Sequence, residues 1–143
     1  SDVYKRQTMS TLITQTVQSS TSAAPVFKNS SGTEKGQLVK AWINFDGRFS
    51  DGIRDDFNFS SFTELSGNGK YTVTFENAMA NTNYCVVSSG HYIKDDSQSG
   101  NEGNAREMGA YILTTTNFKL VVTYNGSTTQ DAANIFCAVF GGN

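Results

Sequence analysis

The sequence predicts an all-β protein: an antiparallel β-sandwich of about seven to eight strands behind an extended polar N-terminal segment. Three observations carry that prediction. From residue 38 onward, short runs alternate apolar and polar side chains with the period of two that belongs to a half-buried strand. Polar turn signals rich in Gly and Asn separate those runs. The composition agrees, with 16 Ser, 16 Thr, 13 Asn and 13 Gly beside 10 Phe, 6 Tyr and 1 Pro in 143 residues. β-branched and aromatic residues suit a pleated surface, and aromatics at 12% are too many for a chain that stays unfolded. A chain of this length has room for one domain and one real core.

Three regions follow in order. Residues 2–7 read DVYKRQ, which resembles one translated frame of a transposon adaptor used to build sequencing libraries. Residues 1–8 are therefore expected to be a non-native prefix, with the native start at Met9, and they stay out of functional argument. Residues 9–37 are dominated by Ser, Thr, Gln, Asn and Gly, with Leu12, Ile13, Val17, Val26 and Phe27 as isolated apolar beads. Such a stalk or lead-in cannot build a core alone; it is either a flexible linker or a segment ordered by pairing with copies of itself. Pro25 marks a break before an extended piece at 26–29.

Residues 38–143 form the sandwich region. Val39, Ala41, Ile43 and Phe45 share one face of the first strand, with Lys40, Trp42 and Asn44 on the other. The next strand, 53–62, is expected to carry Phe57 and Phe59 together on one face. Residues 66–69, Ser-Gly-Asn-Gly, predict a tight turn whose Asn-Gly supplies positive φ. Tyr71, Val73 and Phe75 then alternate with Thr72, Thr74 and Glu76. Residues 76–81 are the one helix-compatible stretch. The run 84–88 is mostly apolar and is expected to be covered on both sides. Strands at 108–114, 118–124 (Leu120, Val122 and Tyr124 in step) and 135–140 complete the set. The last is apolar on both faces, which calls for a neighbouring subunit as cover. The expected core comprises Trp42, Phe45, Phe57, Tyr71, Val73, Phe75, Met79, Tyr84, Val86 and Val139.

Charge and motif content exclude several chemistries. A net charge of −2 leaves no basic surface for duplex nucleic acid. No apolar run reaches the roughly 18 residues of a membrane span, and the N-terminus lacks the pattern of a secretory signal. Cys85 and Cys137 have no metal-ligand spacing and are expected to be buried free thiols in a reducing cytoplasm. His91, the only histidine, has no nucleophile motif beside it and reads as an ordinary polar side chain. Asp55-Asp56 and Asp95-Asp96 point to opposite faces if they lie in strands and do not follow a calcium-loop pattern. The Asn-x-Ser/Thr triplets at Asn29, Asn58 and Asn125 are expected by chance in this composition. No catalytic residue, metal or cofactor is expected. The stretch 94–107, KDDSQSGNEGNARE, is too long and polar for a hairpin turn; such loops are either functional or simply solvated.

Three motifs occur in order: LVKAWINFDG at 38–47, IRDDFNFSS at 53–61 and GNGKYTVTFENAMANTNYCV at 67–86. With the opening MSTLITQTVQSSTSAAPVFKNSSGTEKGQL, they resemble a family of bacteriophage tail fibre or virion structural proteins common in marine phages. The likeness covers nearly all of the chain after Met9. Two departures stand out: RFSD at 48–51 replaces small residues, and Phe59 stands where the family has Val. The resemblance implies a non-enzymatic virion component, made in the host cytoplasm: a short tail fibre or fibre tip, homotrimeric, bound to other tail proteins and touching a host-surface glycan or protein. It also leaves room for a purely architectural virion protein with no host ligand. A host contact is expected from loops at one end of the sandwich, with Tyr92 stacking on a sugar and Asp95, Asp96, Asn101, Asn104 and Arg106 making polar contacts.

Overall fold

The computed structural model describes residue 16 and residues 27–36, 38–65, 67–92, 105–112, 114–124 and 126–142. Contacts divide the chain into two units, Ser1–Leu38 and Val39–Asn143. In the first, β1 (Phe27–Lys28) and β2 (Glu34–Gly36) pair as an antiparallel hairpin. Asn29 closes its turn, because its Oδ1 accepts from Thr33 N and from the Ser31 hydroxyl, each at 2.8 Å.

The second unit holds β3 (Ala41–Phe45), β4 (Ile53–Phe57), β5 (Phe59–Glu64), β6 (Lys70–Phe75), β7 (Tyr84–His91), β8 (Ala105–Ile112), β9 (Asn117–Tyr124), β10 (Thr128–Thr129) and β11 (Asn134–Gly141). Every pairing is antiparallel, and no helix occurs among the described residues. Sheet one runs β4-β3-β11-β7 and sheet two runs β8-β9-β6-β5, with β10 added beside β9. β8 links the two: Ala105 and Arg106 pair with β7, and residues from Glu107 onward pair with β9. On the other side, only Asn58 separates β4 from β5. The result is an antiparallel sandwich nearly closed into a barrel.

The core lies between the sheets. Phe45 of sheet one meets Phe62 and Tyr71 of sheet two at centroid distances of 4.4 and 5.5 Å. Tyr84 of β7 meets Phe75 of β6 edge-on at 5.5 Å. Ile43, Val73, Phe118, Leu120, Val122, Ile135 and Val139 fill the space between. Burying each large apolar side chain contributes roughly 1.5–3 kcal/mol.

Several expectations need correction. Phe57 and Phe59 do not share a face: Phe59 is buried and Phe57 is 53% exposed. Asn58 sits at φ 61°, which turns the pleat over and sends the chain from one sheet to the other. In the 66–69 turn Gly69 of the Asn-Gly pair supplies positive φ as expected, at 75°, but it is Gly67, at 93°, and not Asn68 that shares it. Residues 76–81 form bends rather than a helix. β7 is covered on one face only; Cys85 and Val87 point outward, so Cys85 is an exposed thiol and Cys137 alone is buried. Trp42 and Val86 are only partly covered, and Tyr124 is half-exposed. The stretch 94–107 ends inside β8, where Ala105, Arg106 and Glu107 are strand residues.

Candidate functional site

The antiparallel path sends the connections alternately to two ends of the sandwich. One end gathers the segments 46–52, 65–69 and 126–133 with the close of β7 and the start of β8. Its scaffold is rigid. In the β3–β4 connection, Asp46 N donates to Gly52 O at 2.8 Å and Gly52 N donates to Phe49 O at 3.1 Å. A Cβ on Gly52 would lie 2.0 Å from Asp46 O, so the turn requires glycine. Gly47 N donates to Ala132 O at 2.9 Å and Ala133 N to Tyr92 O at 3.3 Å, which ties three segments into one surface.

Asp46 is the electrostatic centre of this end. It is 5% exposed, and its carboxylate accepts from Arg48 Nε at 2.9 Å, Arg48 Nη2 at 2.8 Å and Arg54 Nη2 at 3.2 Å. The Arg48 hydrogen bonds hold its pKa below the usual carboxylate value against the opposing effect of burial. Arg54 also donates to Asn44 Oδ1 and to Ala133 O. The fork of Arg48 thus has a fixed position, with its guanidinium carbon 5.4 Å from the centre of the Phe49 ring. Phe49 is 56% exposed. It borders a cleft of about 360 Å³ lined also by Gly47, Ser50, Phe62, Thr63 and Glu64. Beneath the turn the buried Tyr71 hydroxyl donates to Asp131 Oδ1 at 2.7 Å and lies 3.1 Å from Gly47 O.

Beside this cluster, Arg106 lies between two tyrosines. Its guanidinium carbon is 4.7 Å from the Tyr92 ring centre and 4.8 Å from that of Tyr124. Its Nη2 donates to Gln130 Oε1 at 3.0 Å. Burial lowers its pKa, and the two tyrosines oppose that shift. Ala133 joins the two clusters: its carbonyl accepts from Arg54 and its N–H donates to Tyr92 O.

Of the residues expected to contact a ligand, Tyr92 and Arg106 come together here. Tyr92 is half-exposed, as a stacking residue must be. Arg106 is 8% exposed and braces the two tyrosine rings from within rather than facing outward. Asp95, Asp96, Asn101 and Asn104 lie outside the described residues. His91 ends β7 in register with Asn134 and Ala105. No cluster of three His, Cys, Asp or Glu suited to a metal occurs among the described residues. The same holds for a helix long and apolar enough to cross a membrane.

Sequence reasoning missed Asp46, Arg54, Tyr124 and Gln130, which come from four separate segments. For Arg48 and Phe49 a signal was present: they open the RFSD departure from the resembled motif. Compared with known proteins, the chain matches no family model, no curated protein and no solved structure.

Proposed function

We propose that this chain is a non-enzymatic virion module, a short tail fibre or fibre tip, that holds a host-surface glycan at the end of its sandwich. The observation that carries the reading is the juxtaposition of exposed aromatic rings with fixed polar groups. Phe49 and Tyr92 are exposed rings at this end, each with an arginine over one face, and Glu64 lines the cleft beside Phe49. A sugar offers C–H faces to rings and hydroxyls to charged groups, so the surface suits it on both counts. The sites stand on strands and hydrogen-bonded turns, which keeps the ordering cost of binding low. Each single contact is weak, and several copies on one particle make it useful.

The test is retention of the labelled full chain on a panel of bacterial cells and on polysaccharides extracted from their surfaces. The parent is expected to bind at least one of them. Phe49→Ala and Tyr92→Ala are each expected to weaken binding about tenfold, the equivalent of roughly 1.4 kcal/mol. A correctly folded parent retained by none of them would support the architectural alternative and overturn the proposal.

A further inference from the structure

Where the two sheets meet at β7 and β8, the ladder is incomplete. Only Gly90 and His91 of β7 pair with β8, and from Glu107 onward β8 pairs with β9 instead. Among the described residues, 84–89 therefore pair with β11 alone. Lys40 N donates to Val139 O, so the backbone groups of Val139 point to β3, and those of Val86 opposite it point away from β11. Alternation sends the N–H and C=O groups of Tyr84 and Ser88 to the same open edge. The core thins along this line. Val86, Met108 and Ala110 pack against it but are only partly covered, whereas Val73, Leu120 and Val139 are fully buried. Other edges carry the charges that discourage pairing. β4 has Arg54, Asp55 and Asp56, and β5 has Glu64. The run 84–89, Tyr-Cys-Val-Val-Ser-Ser, has no charge and no proline.

We infer that this edge accepts an extended segment of a second copy of the chain, residues 11–17, as one more strand of sheet one. Length fits: the run 84–89 spans about 20 Å, and an extended 12–17 spans the same. Composition fits as well. The run 11–17, Thr-Leu-Ile-Thr-Gln-Thr-Val, is rich in β-branched residues and free of charge, glycine and proline. The stretch 93–104, also outside the described residues, carries Lys94, Asp95, Asp96 and Glu102 and suits the edge less well. Thr16, the one described residue of the run, is exposed and outside any strand in the single chain. In the pairing, alternation sets Ile13 and Val17 on the side of Val86, Met108 and Ala110, and Leu12 on the outer side with Cys85 and Val87. That outer side of sheet one is already apolar, since Val87 lies beside Ala138 and Cys85 beside Phe140. The outer side of sheet two is not: Tyr111, Lys119, Thr72 and Thr63 form a polar row across it. Each copy gives one strand and receives one, a head-to-tail contact that closes as a ring. A ring of three agrees with the assembly that the resemblance implies.

This inference stands apart from the glycan proposal: a chain that exchanges strands without adsorbing to cells would remove only the latter. The test uses Cys85, an exposed thiol on the outer side of β7. Its backbone groups face β11, so an added strand meets it at a non-hydrogen-bonded position, where Cα atoms about 4.5 Å apart admit a disulfide. Leu12→Cys, Thr14→Cys and Thr16→Cys are each treated with oxidised glutathione in the full chain, and the products are separated under denaturing conditions. One of the three is expected to join chains through Cys85 into covalent trimers, and Ile13→Cys, on the inner side, to join none. Sedimentation gives a second reading. Thr14→Pro combined with Gln15→Pro removes a ladder donor in either register and is expected to weaken association at least about tenfold. All these substitutions lie outside the sandwich, so its fold is kept. A parent that stays monomeric at micromolar concentration would overturn the inference, as would an assembly indifferent to the two prolines. So would a Cys85 disulfide that forms within one chain, or at none of the three outer positions.

Discussion

Asp46 shows how much a single side chain does here. Two arginines from different sides of one turn converge on it, and the turn backbone uses it as well, since Arg48 N donates to Oδ1 at 3.2 Å. Asp46→Asn is expected to lower stability by about 1–2 kcal/mol at neutral pH, because charge-assisted hydrogen bonds become neutral ones and both guanidinia are partly solvated. The sign with pH follows from the lowered pKa. The contribution of the carboxylate is complete above about pH 4, the ordinary aspartate range, and is lost as pH falls through the lower folded value. Denaturant unfolding of parent and variant should therefore differ most at neutral pH and converge in acid. Cys137 behaves in the opposite sense. Burial pushes its thiol from 9.0 up to about 12. Its contribution is complete below about pH 9 and is lost as pH rises through the folded value. A thiol reagent on the native protein should thus modify Cys85 alone, and both cysteines after unfolding. Two fast-reacting thiols in the native state would contradict the buried assignment. At this scale most of the expected core was legible, with Phe57 exposed and Trp42 and Val86 only partly covered. Arg106 was expected at the contact, but its burial was not foreseen. It sits in a polar run, and its partners are distant in sequence: Tyr92 just after β7, Tyr124 at the end of β9 and Gln130 just after β10.

Among elements, Asn58 does most to set the architecture. It alone joins sheet one to sheet two on the closed side, and its side chain fixes the corner: Oδ1 accepts from Asn77 N at 2.8 Å and Nδ2 donates to Lys40 O at 3.3 Å. Asn58→Ala should cost about 2–3 kcal/mol, from roughly 1–2 kcal/mol for a left-handed alanine plus about 1 kcal/mol of lost hydrogen bonding. Asn58→Gly should cost only about 1 kcal/mol, because glycine tolerates the dihedral. Thermal or denaturant unfolding gives the order directly, and a glycine variant weaker than the alanine variant would show that φ is not what the corner demands. Period-two alternation made β3, β6 and β9 legible, because each buries one face against the core. It failed at 57–59, where alternation continues in the sequence while the pleat turns over. Asn between two phenylalanines was the one local hint, since asparagine enters the left-handed region more readily than most residues.

For the whole molecule, closure at Asn58 and at β8 divides the surface into parts of different chemistry: a polar outer face, an apolar outer face, and an end where rings and arginines meet. The fold class was legible because it depends on many short-range patterns that agree. The cluster of rings and arginines at one end was not, because it is assembled from segments whose proximity only the strand order creates. Hydrogen exchange of the full chain, with and without a cell-surface polysaccharide that retains it, decides whether that end is the contact. Slowed exchange is expected in 46–52, at Tyr92 and in 126–131, with 76–83 and 114–116 at the opposite end unchanged. Protection confined to 76–83 and 114–116, or to the outer strands with none at 46–52, would place the ligand elsewhere and contradict the proposed site.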